Sequence, residues 1–89
     1  MVTVQYYGLL VDDGSSFDNS FRAGRGYTFR LGRGEVIPGW DEAIPLLPVG
    51  TKASLFIPSA LAYGETGYAG AIPPNAELYF YVEVEELFY

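Results

Sequence analysis

Three segments of this chain place aromatic rings next to carboxylates, prolines or glycines outside the regular strand patterns, which is where binding and catalytic residues concentrate. They are Phe17-Asp18, the run 35–40 and the loop 62–74. A loop of about a dozen residues in so small a chain usually serves function, so it is predicted to cover a pocket. The chain contains no His and no Cys, and therefore has no Ser-His or Cys-His nucleophile pair and no His-ligated zinc. Any chemistry must use carboxylates, tyrosines, backbone dipoles and apolar surface.

The charge and hydrophobicity of the chain limit the classes of molecule that it is expected to bind. The net charge is −6, with five Lys and Arg among eleven acids, which argues against a nucleic-acid partner. No apolar stretch reaches the ~20 residues of a membrane span, and no signal peptide is recognisable. The acids Glu83, Glu85 and Glu86 are interpreted as a solvated strand face rather than a metal site. We expect no metal and no cofactor. The sequence does not fix the cellular compartment: a cytoplasmic location is favoured, and export as part of a longer chain is the alternative.

Strands are the main elements that must position these segments. Alternation of apolar and polar residues predicts strands over residues 2–8, 27–31, 51–57 and 78–85. In the last of these, Leu78, Phe80, Val82 and Val84 are predicted to face inward, with Glu and Tyr residues facing outward. Residues 17–26 are predicted to form a linking loop.

One short helix is predicted to begin at Pro38, because proline fits the first helical turn. Trp40, Ile44 and Leu47 share one face of it, and two further prolines keep it short. No connection is long and regular enough for a parallel crossover. The expected fold is therefore α+β, an antiparallel sheet curled around one short α-helix, in a single domain spanning 1–89.

The order of these motifs resembles the FK506-binding proteins, which are peptidyl-prolyl isomerases of the immunophilin class. The matching stretches are VQYYG at 4–8, GSSFD at 14–18, FRLG at 29–32, EVIPGWDE at 35–42, VG at 49–50, IP at 57–58, AYG at 62–64 and IPPNA at 72–76. The resemblance implies an antiparallel half-barrel β-sheet wrapped around one short α-helix. Since the family usually carries a further strand before Val2, it also implies a trimmed chain or a domain cut from a longer one.

The resemblance further implies a pocket with Trp40 as the floor for a proline ring. Tyr6, Asp18 and Tyr63 are expected to act in catalysis, and the substrate is expected to contact Phe17, Tyr27, Val36, Ile37, Trp40, Tyr68, Ile72 and Phe80. The backbone N–H of Ile37 is expected to supply a further polar contact. Ala71 and Tyr68 stand where the family commonly carries a larger aliphatic residue and a histidine, which bears on substrate preference and macrolide affinity.

Plainer interpretations exist for the same residues. Trp40 is also suited to a hydrophobic core, and Asp18 to a turn after a polar cluster. If Asp18 lies in an apolar pocket, its carboxylate needs a hydrogen-bond donor. The hydroxyl of Tyr6 is the favoured donor, with Arg22 or Arg25 as alternatives.

The implied function is cis/trans isomerisation of X-Pro bonds in a water-excluding aromatic pocket, which assists protein folding. The alternative is a non-catalytic module that grips proline-containing or hydrophobic peptides as a chaperone or scaffold. Both functions would use the same pocket. The implied partners are proline-containing peptides, folding proteins and FK506- or rapamycin-type macrolides, with the chain acting as a monomer.

Overall fold

A five-stranded antiparallel sheet dominates the computed structural model, which describes residues 1–88. The strands are β1 (Val2–Leu10), β2 (Ser16–Asn19), β3 (Tyr27–Phe29), β4 (Lys52–Ile57) and β5 (Leu78–Leu87). The helices are α1 (Ser20–Ala23) and α2 (Pro38–Ala43), with 3-10 turns at Ile44–Leu46 and Ser59–Leu61. The sheet order is β2-β1-β5-β4, and β3 also pairs with β1. The predicted α+β class, an antiparallel sheet around a short helix, is confirmed.

The two central strands, β1 and β5, carry most of the core. Alternate side chains face the core: Val2 and Val4 of β1 are at most 1% exposed, and Leu78, Phe80, Val82 and Val84 of β5 at most 4%. Tyr6, the next inward residue of β1, is half-buried. Because side chains alternate across a strand, this pattern fixes which face of the sheet is covered. The inward set predicted for the last strand is confirmed.

Helix α2 covers that buried face. Pro38 occupies its first turn, and Trp40 is buried. The helix ends at Ala43, so the predicted helical face is shorter than expected: Ile44 is buried from the following 3-10 turn, and Leu47 lies beyond that turn. A Cβ added to Gly39 would lie 2.7 Å from Cγ2 of Ile57, so the helix backbone packs directly on β4. The carboxylate of Asp41 accepts hydrogen bonds from the backbone of the turn at 32–34, which ties that turn to the helix.

The prediction of a loop over residues 17–26 is wrong in part. The segment contains most of β2 and the four-residue helix α1, so α2 is not the only α-helix. The side chain of Asn19 caps α1 by accepting from the backbone N–H of Phe21 and Arg22, and Gly24 ends it at a φ of 77°. The buried hydroxyl of Ser20 accepts from the backbone N–H of Tyr6 at 2.7 Å, which anchors α1 to β1.

Neither helix of the described chain has the length and apolar character needed to cross a bilayer. Within residues 1–88, no group of three or more acidic side chains is arranged to hold a metal ion.

Candidate functional site

An aromatic cavity of about 360 Å³ opens on the covered face of the sheet, and we call it the basin. Its walls come from β1, β2, β3, β5, the approach to α2, and a long loop, residues 62–75, which we call the flap. The lining residues are Tyr6, Phe17, Asp18, Tyr27, Glu35, Val36, Ile37, Trp40, Tyr63, Tyr68, Ala71, Ile72 and Phe80. The structure therefore brings all eleven residues singled out from the sequence around one cavity, and adds Glu35 and Ala71.

Trp40 is 3% exposed and lies where α2 meets the sheet. Its indole packs edge-to-face with Tyr6 at 4.9 Å and with Phe80 at 5.2 Å between ring centroids. Phe29 supports it at 5.8 Å and is not part of the lining, so Phe29 belongs to the core. The indole N–H has no hydrogen-bond partner among the described residues. A buried donor without a partner costs about 1–3 kcal/mol, and such groups are rare in folded proteins.

Two phenylalanines form one wall, and a glycine makes room for them. Phe17 and Phe80 meet edge-to-face at 5.5 Å. They lie over Gly8 of β1, where an added Cβ would come within 2.6 Å of the Phe17 ring and 2.8 Å of the Phe80 ring. Only glycine at this position lets both rings lie against the strand.

A hydrogen bond between Tyr6 and Asp18 forms the polar side of the basin. The Tyr6 hydroxyl donates to Oδ2 of Asp18 at 2.5 Å, and the backbone N–H of Asn19 donates to Oδ1 at 2.9 Å. Burial, reinforced by this hydrogen bond, raises the pKa of Tyr6 well above its ordinary value. The phenol therefore stays protonated, and remains a donor, at neutral pH.

Asp18 lies on the rim of the basin rather than deep inside it, since the residue is exposed. Of the three candidate donors to Asp18, Tyr6 is the one that binds it. Neither Arg22 nor Arg25 does so, because the only salt bridge within residues 1–88 joins Arg30 to Glu35. An exposed carboxylate keeps part of its hydration, so one strong donor and one backbone N–H hold it without an ion pair.

The flap is closed by its own backbone. Tyr68 and Ile72 exchange two backbone hydrogen bonds of 2.8 Å, and the N–H of Asn75 donates to the carbonyl of Gly64 at 2.8 Å. Ile72 is 7% exposed and Tyr68 is 60% exposed. The flap thus places an aliphatic side chain against the basin and leaves an aromatic ring at its edge.

Tyr63 stands at the start of the flap and is half-buried. Its ring meets that of Tyr68 at 5.7 Å with the planes 70° apart. Burial raises the pKa of Tyr63, and the negative charge of Asp18 raises it further. Two neutral phenols, Tyr6 and Tyr63, therefore share the field of one carboxylate.

Glu35 is the polar lining residue that the sequence did not single out for the site. Its carboxylate accepts from Nε of Arg30 at 2.7 Å and from the backbone N–H of Arg30 at 3.0 Å. These bonds hold the pKa of Glu35 below its ordinary value. Arg30 and Glu35 bridge the glycine-containing turn 31–34. This contact matches no common sequence motif, so it could not be predicted from the sequence.

The basin is thus an apolar box with one rim carboxylate and two neutral phenols. It can strip water from a small apolar ring and place a carbonyl group near hydrogen-bond donors. Among the residues that line it there is no activated nucleophile, so the arrangement suits a reaction in which no bond to the protein forms.

Comparison with known proteins assigns this fold and basin to a class. The family described as FKBP-type peptidyl-prolyl cis-trans isomerase matches residues 1–85, nearly the whole chain. The chain belongs to this family of isomerases.

Individual relatives agree with that assignment. The chain is 48% identical over 86 residues to peptidyl-prolyl cis-trans isomerase FPR2 of Saccharomyces cerevisiae, covering 97% of this chain and 64% of that protein. It is 50% identical over 84 residues to FK506-binding protein 1 of Kluyveromyces lactis, covering 94% and 73%. It is 48% identical over 83 residues to peptidyl-prolyl cis-trans isomerase Fkbp12 of Drosophila melanogaster, covering 93% and 76%. The chain spans roughly two thirds to three quarters of the length of these relatives.

Proposed function

We propose that residues 1–89 act as one domain that catalyses cis/trans interconversion of X-Pro bonds in the basin and so assists the folding of proline-containing proteins. The observation that carries the proposal is that the eleven side chains named from the family resemblance line one cavity of about 360 Å³. A proline ring fits an apolar cavity of this kind, and the exposed rim leaves room for the chain on either side of it.

Catalysis of this reaction requires stabilising a twisted amide. Rotation about the X-Pro bond faces a barrier of ~18–20 kcal/mol, because resonance stiffens the C–N bond. The twisted amide has lost that resonance and is less polar, so a water-excluding aromatic site favours it over the planar form. Spontaneous isomerisation takes ~10–100 s, so lowering the barrier by about 5 kcal/mol would bring it to milliseconds.

In this scheme the basin residues have distinct roles. Trp40 supports the proline ring, and Phe17, Tyr27 and Phe80 exclude water around it. Asp18 shapes the electric field at the rotating amide and moves no proton. The N–H of Ile37, which has no acceptor within residues 1–88, is free to bind a substrate carbonyl.

The residue before proline should be bulky and apolar. The walls next to the proline position include Ile37 and Phe80, while the acidic groups at the basin are Asp18 and Glu35. A Glu-Pro substrate would bring a third carboxylate to the same region, which like-charge repulsion disfavours.

Macrolides of the FK506 type are proposed as competing ligands of the same basin, since several relatives are named for FK506 binding. Ala71 offers less apolar surface in the flap than a larger aliphatic residue would, so binding should be weaker than where that surface is present. We propose that the chain acts as a monomer.

A protease-coupled assay on Leu-Pro and Glu-Pro peptides tests the proposal. We expect kcat/KM to be higher for Leu-Pro, to fall partly in Asp18→Asn, and to fall by roughly tenfold in Asp18→Leu, about 1.4 kcal/mol of transition-state stabilisation. Asp12→Asn is the matched control, because Asp12 is an exposed turn residue outside the basin. Unchanged kcat/KM in a folded Asp18→Leu variant would limit Asp18 to a structural role in β2.

A further inference from the structure

Five aromatic rings form a continuous row on the face of the sheet opposite the basin, and we call it the outer row. It runs Phe21, Tyr81, Tyr7, Tyr79, Phe56, with successive ring centroids 6.5, 5.2, 6.2 and 5.0 Å apart. Its members come from α1, β5, β1 and β4. The row therefore crosses the width of the sheet.

Neither the core nor the basin accounts for the outer row. None of its residues lines the basin or belongs to the buried core. Phe21 is 44% exposed and Phe56 is 71% exposed, while the three tyrosines are half-buried against one another. A contiguous aromatic surface of this kind typically marks an interaction site, since tyrosine and phenylalanine are enriched where proteins meet.

The charges on this face are mostly negative. Glu83 and Glu85 lie on the same face of β5 as the tyrosines, and Glu77 directly precedes the strand. None of the three forms a salt bridge within the described chain. The cations nearby are Lys52, paired in register with Glu83 on the adjacent strand, and Arg22 of α1. The Tyr81 hydroxyl donates to Oε2 of Glu83 at 2.5 Å, so a carboxylate is fixed beside an aromatic ring.

This chemistry selects a positively charged partner. A guanidinium group stacks on tyrosine and phenylalanine rings and binds carboxylates in its own plane, so rings with adjacent carboxylates suit arginine better than lysine. A second copy of the chain would bring another net charge of −6 against the same acids, and phosphate groups would meet the same repulsion.

The spacing also fits an extended peptide. Alternate side chains of an extended segment repeat about every 6.6 Å, and two of the four ring separations in the outer row, 6.5 and 6.2 Å, are close to this repeat. We propose that the outer row docks an extended, arginine-containing basic segment of a partner protein. The proposal concerns the face away from the basin and does not depend on isomerase activity.

Titration of the 15N-labelled chain with an acetylated nine-residue peptide of alternating arginine and serine, followed by NMR, tests this docking. The peptide contains no proline, so it does not address the basin. Saturable shifts are expected at the amides of Tyr7, Tyr79 and Tyr81, with those of Tyr63 and Ile72 unchanged. A lysine analogue should bind at least threefold more weakly, and a glutamate analogue should produce no shifts.

Matched variants separate a docking surface from general attraction between charges. Glu83→Gln with Glu85→Gln should weaken binding at least fivefold. Asp12→Asn with Glu65→Gln removes the same charge at exposed positions away from the outer row and should change binding less than twofold. Tyr79→Ser with Tyr81→Ser should abolish the shifts, and if that variant fails to fold, the charge variants still decide. The proposal would be overturned if both double charge variants weakened binding equally, or if the shifts were absent or centred on the basin. Self-association of the chain through the outer row, measured by sedimentation, would also overturn it.

Discussion

Among single residues, the hydrogen bond from Tyr6 to Asp18 decides how the rim carboxylate is held. Tyr6→Phe removes the donor but keeps the ring that packs on Trp40. Because Asp18 is exposed and stays partly hydrated, we expect a loss of about 0.5–1.5 kcal/mol in the free energy of unfolding, below the ~1.5–3 kcal/mol of a typical hydrogen bond to a charged group. Urea unfolding followed by the fluorescence of Trp40 measures it.

Tyr27→Phe is the control for that experiment. The Tyr27 hydroxyl takes part in no hydrogen bond within residues 1–88, and the residue is 41% exposed, so its loss should cost less than about 0.3 kcal/mol. Equal losses in the two variants would show that the Tyr6 hydroxyl contributes nothing through Asp18.

The raised pKa values of three tyrosines determine how the stability of the fold should depend on pH. Burial raises the pKa of Tyr6 and Tyr63, and the hydrogen bond to Glu83 raises that of Tyr81 to about 12. A phenol whose pKa is higher in the folded state stabilises the fold fully below the unfolded pKa of about 10, and this stabilisation is lost as pH rises through the folded pKa.

Absorbance at 295 nm between pH 8 and pH 12.5 checks this behaviour. Part of the tyrosine signal should appear only above pH 11, together with loss of far-UV ellipticity, whereas in guanidinium all eight tyrosines should titrate near pH 10. Ionisation of all eight near pH 10 while the chain stays folded would contradict the geometry of the basin.

The residues that line the basin were largely predictable, and their energetics were not. Trp40 and the flap residues stand in ordered motifs, so the resemblance located them. Glu35 was missed as a site residue because its role depends on a bond to Arg30 across a turn. The position of Asp18 on the rim depends on the register of β2 with β1, in which Asp18 lies opposite Gly8, and no local pattern encodes that register.

Among the elements, the flap has the position where the structure most clearly requires a particular residue, the glycine at 67. Gly67 has a φ of +65°, and a Cβ there would lie 2.4 Å from the carbonyl oxygen of Ile72. Gly67→Ala should therefore cost about 2–3 kcal/mol, combining the strain of a positive φ with a backbone clash. It should also raise KM more than it lowers kcat if, as proposed, flap residues contact the substrate.

Gly70→Ala is the matched comparison, since Gly70 has a φ of +80° with no atom within 4 Å of an added Cβ. It should cost only the conformational strain, about 1 kcal/mol. Urea unfolding and hydrogen exchange of the Tyr68 amide measure both variants. Equal losses would mean that Gly67 is needed for its φ alone and that the contact with Ile72 adjusts freely.

The strands and α2 were predictable because their periodicity is local, whereas the segment with β2 and α1 was not. Its elements are four residues each, too short for periodicity to show. They depend on nonlocal contacts, such as the hydroxyl of Ser20 bound to the backbone of β1. The caps, Asn19 and Gly24, are ordinary turn residues when read alone.

At the level of the whole molecule, the alternation of side chains gives the sheet two different faces. Tyr6 and Phe80 point into the basin, while their neighbours Tyr7, Tyr79 and Tyr81 form the outer row. The sequence predicted which residues face outward along β5. It did not predict the row itself, because the row depends on how residues of separate strands align.

Exchange NMR on a Leu-Pro peptide, with the chain at one hundredth of the peptide concentration, tests most directly whether the basin turns over substrate or only binds it. We predict cis-to-trans cross peaks within a mixing time of 0.5 s, since spontaneous exchange takes ~10–100 s. Their build-up should be roughly tenfold slower in Asp18→Leu and unchanged in Asp12→Asn. Absence of cross peaks, while the peptide still shifts the resonances of Trp40 and Tyr63, would contradict catalysis and make the basin a binding site only.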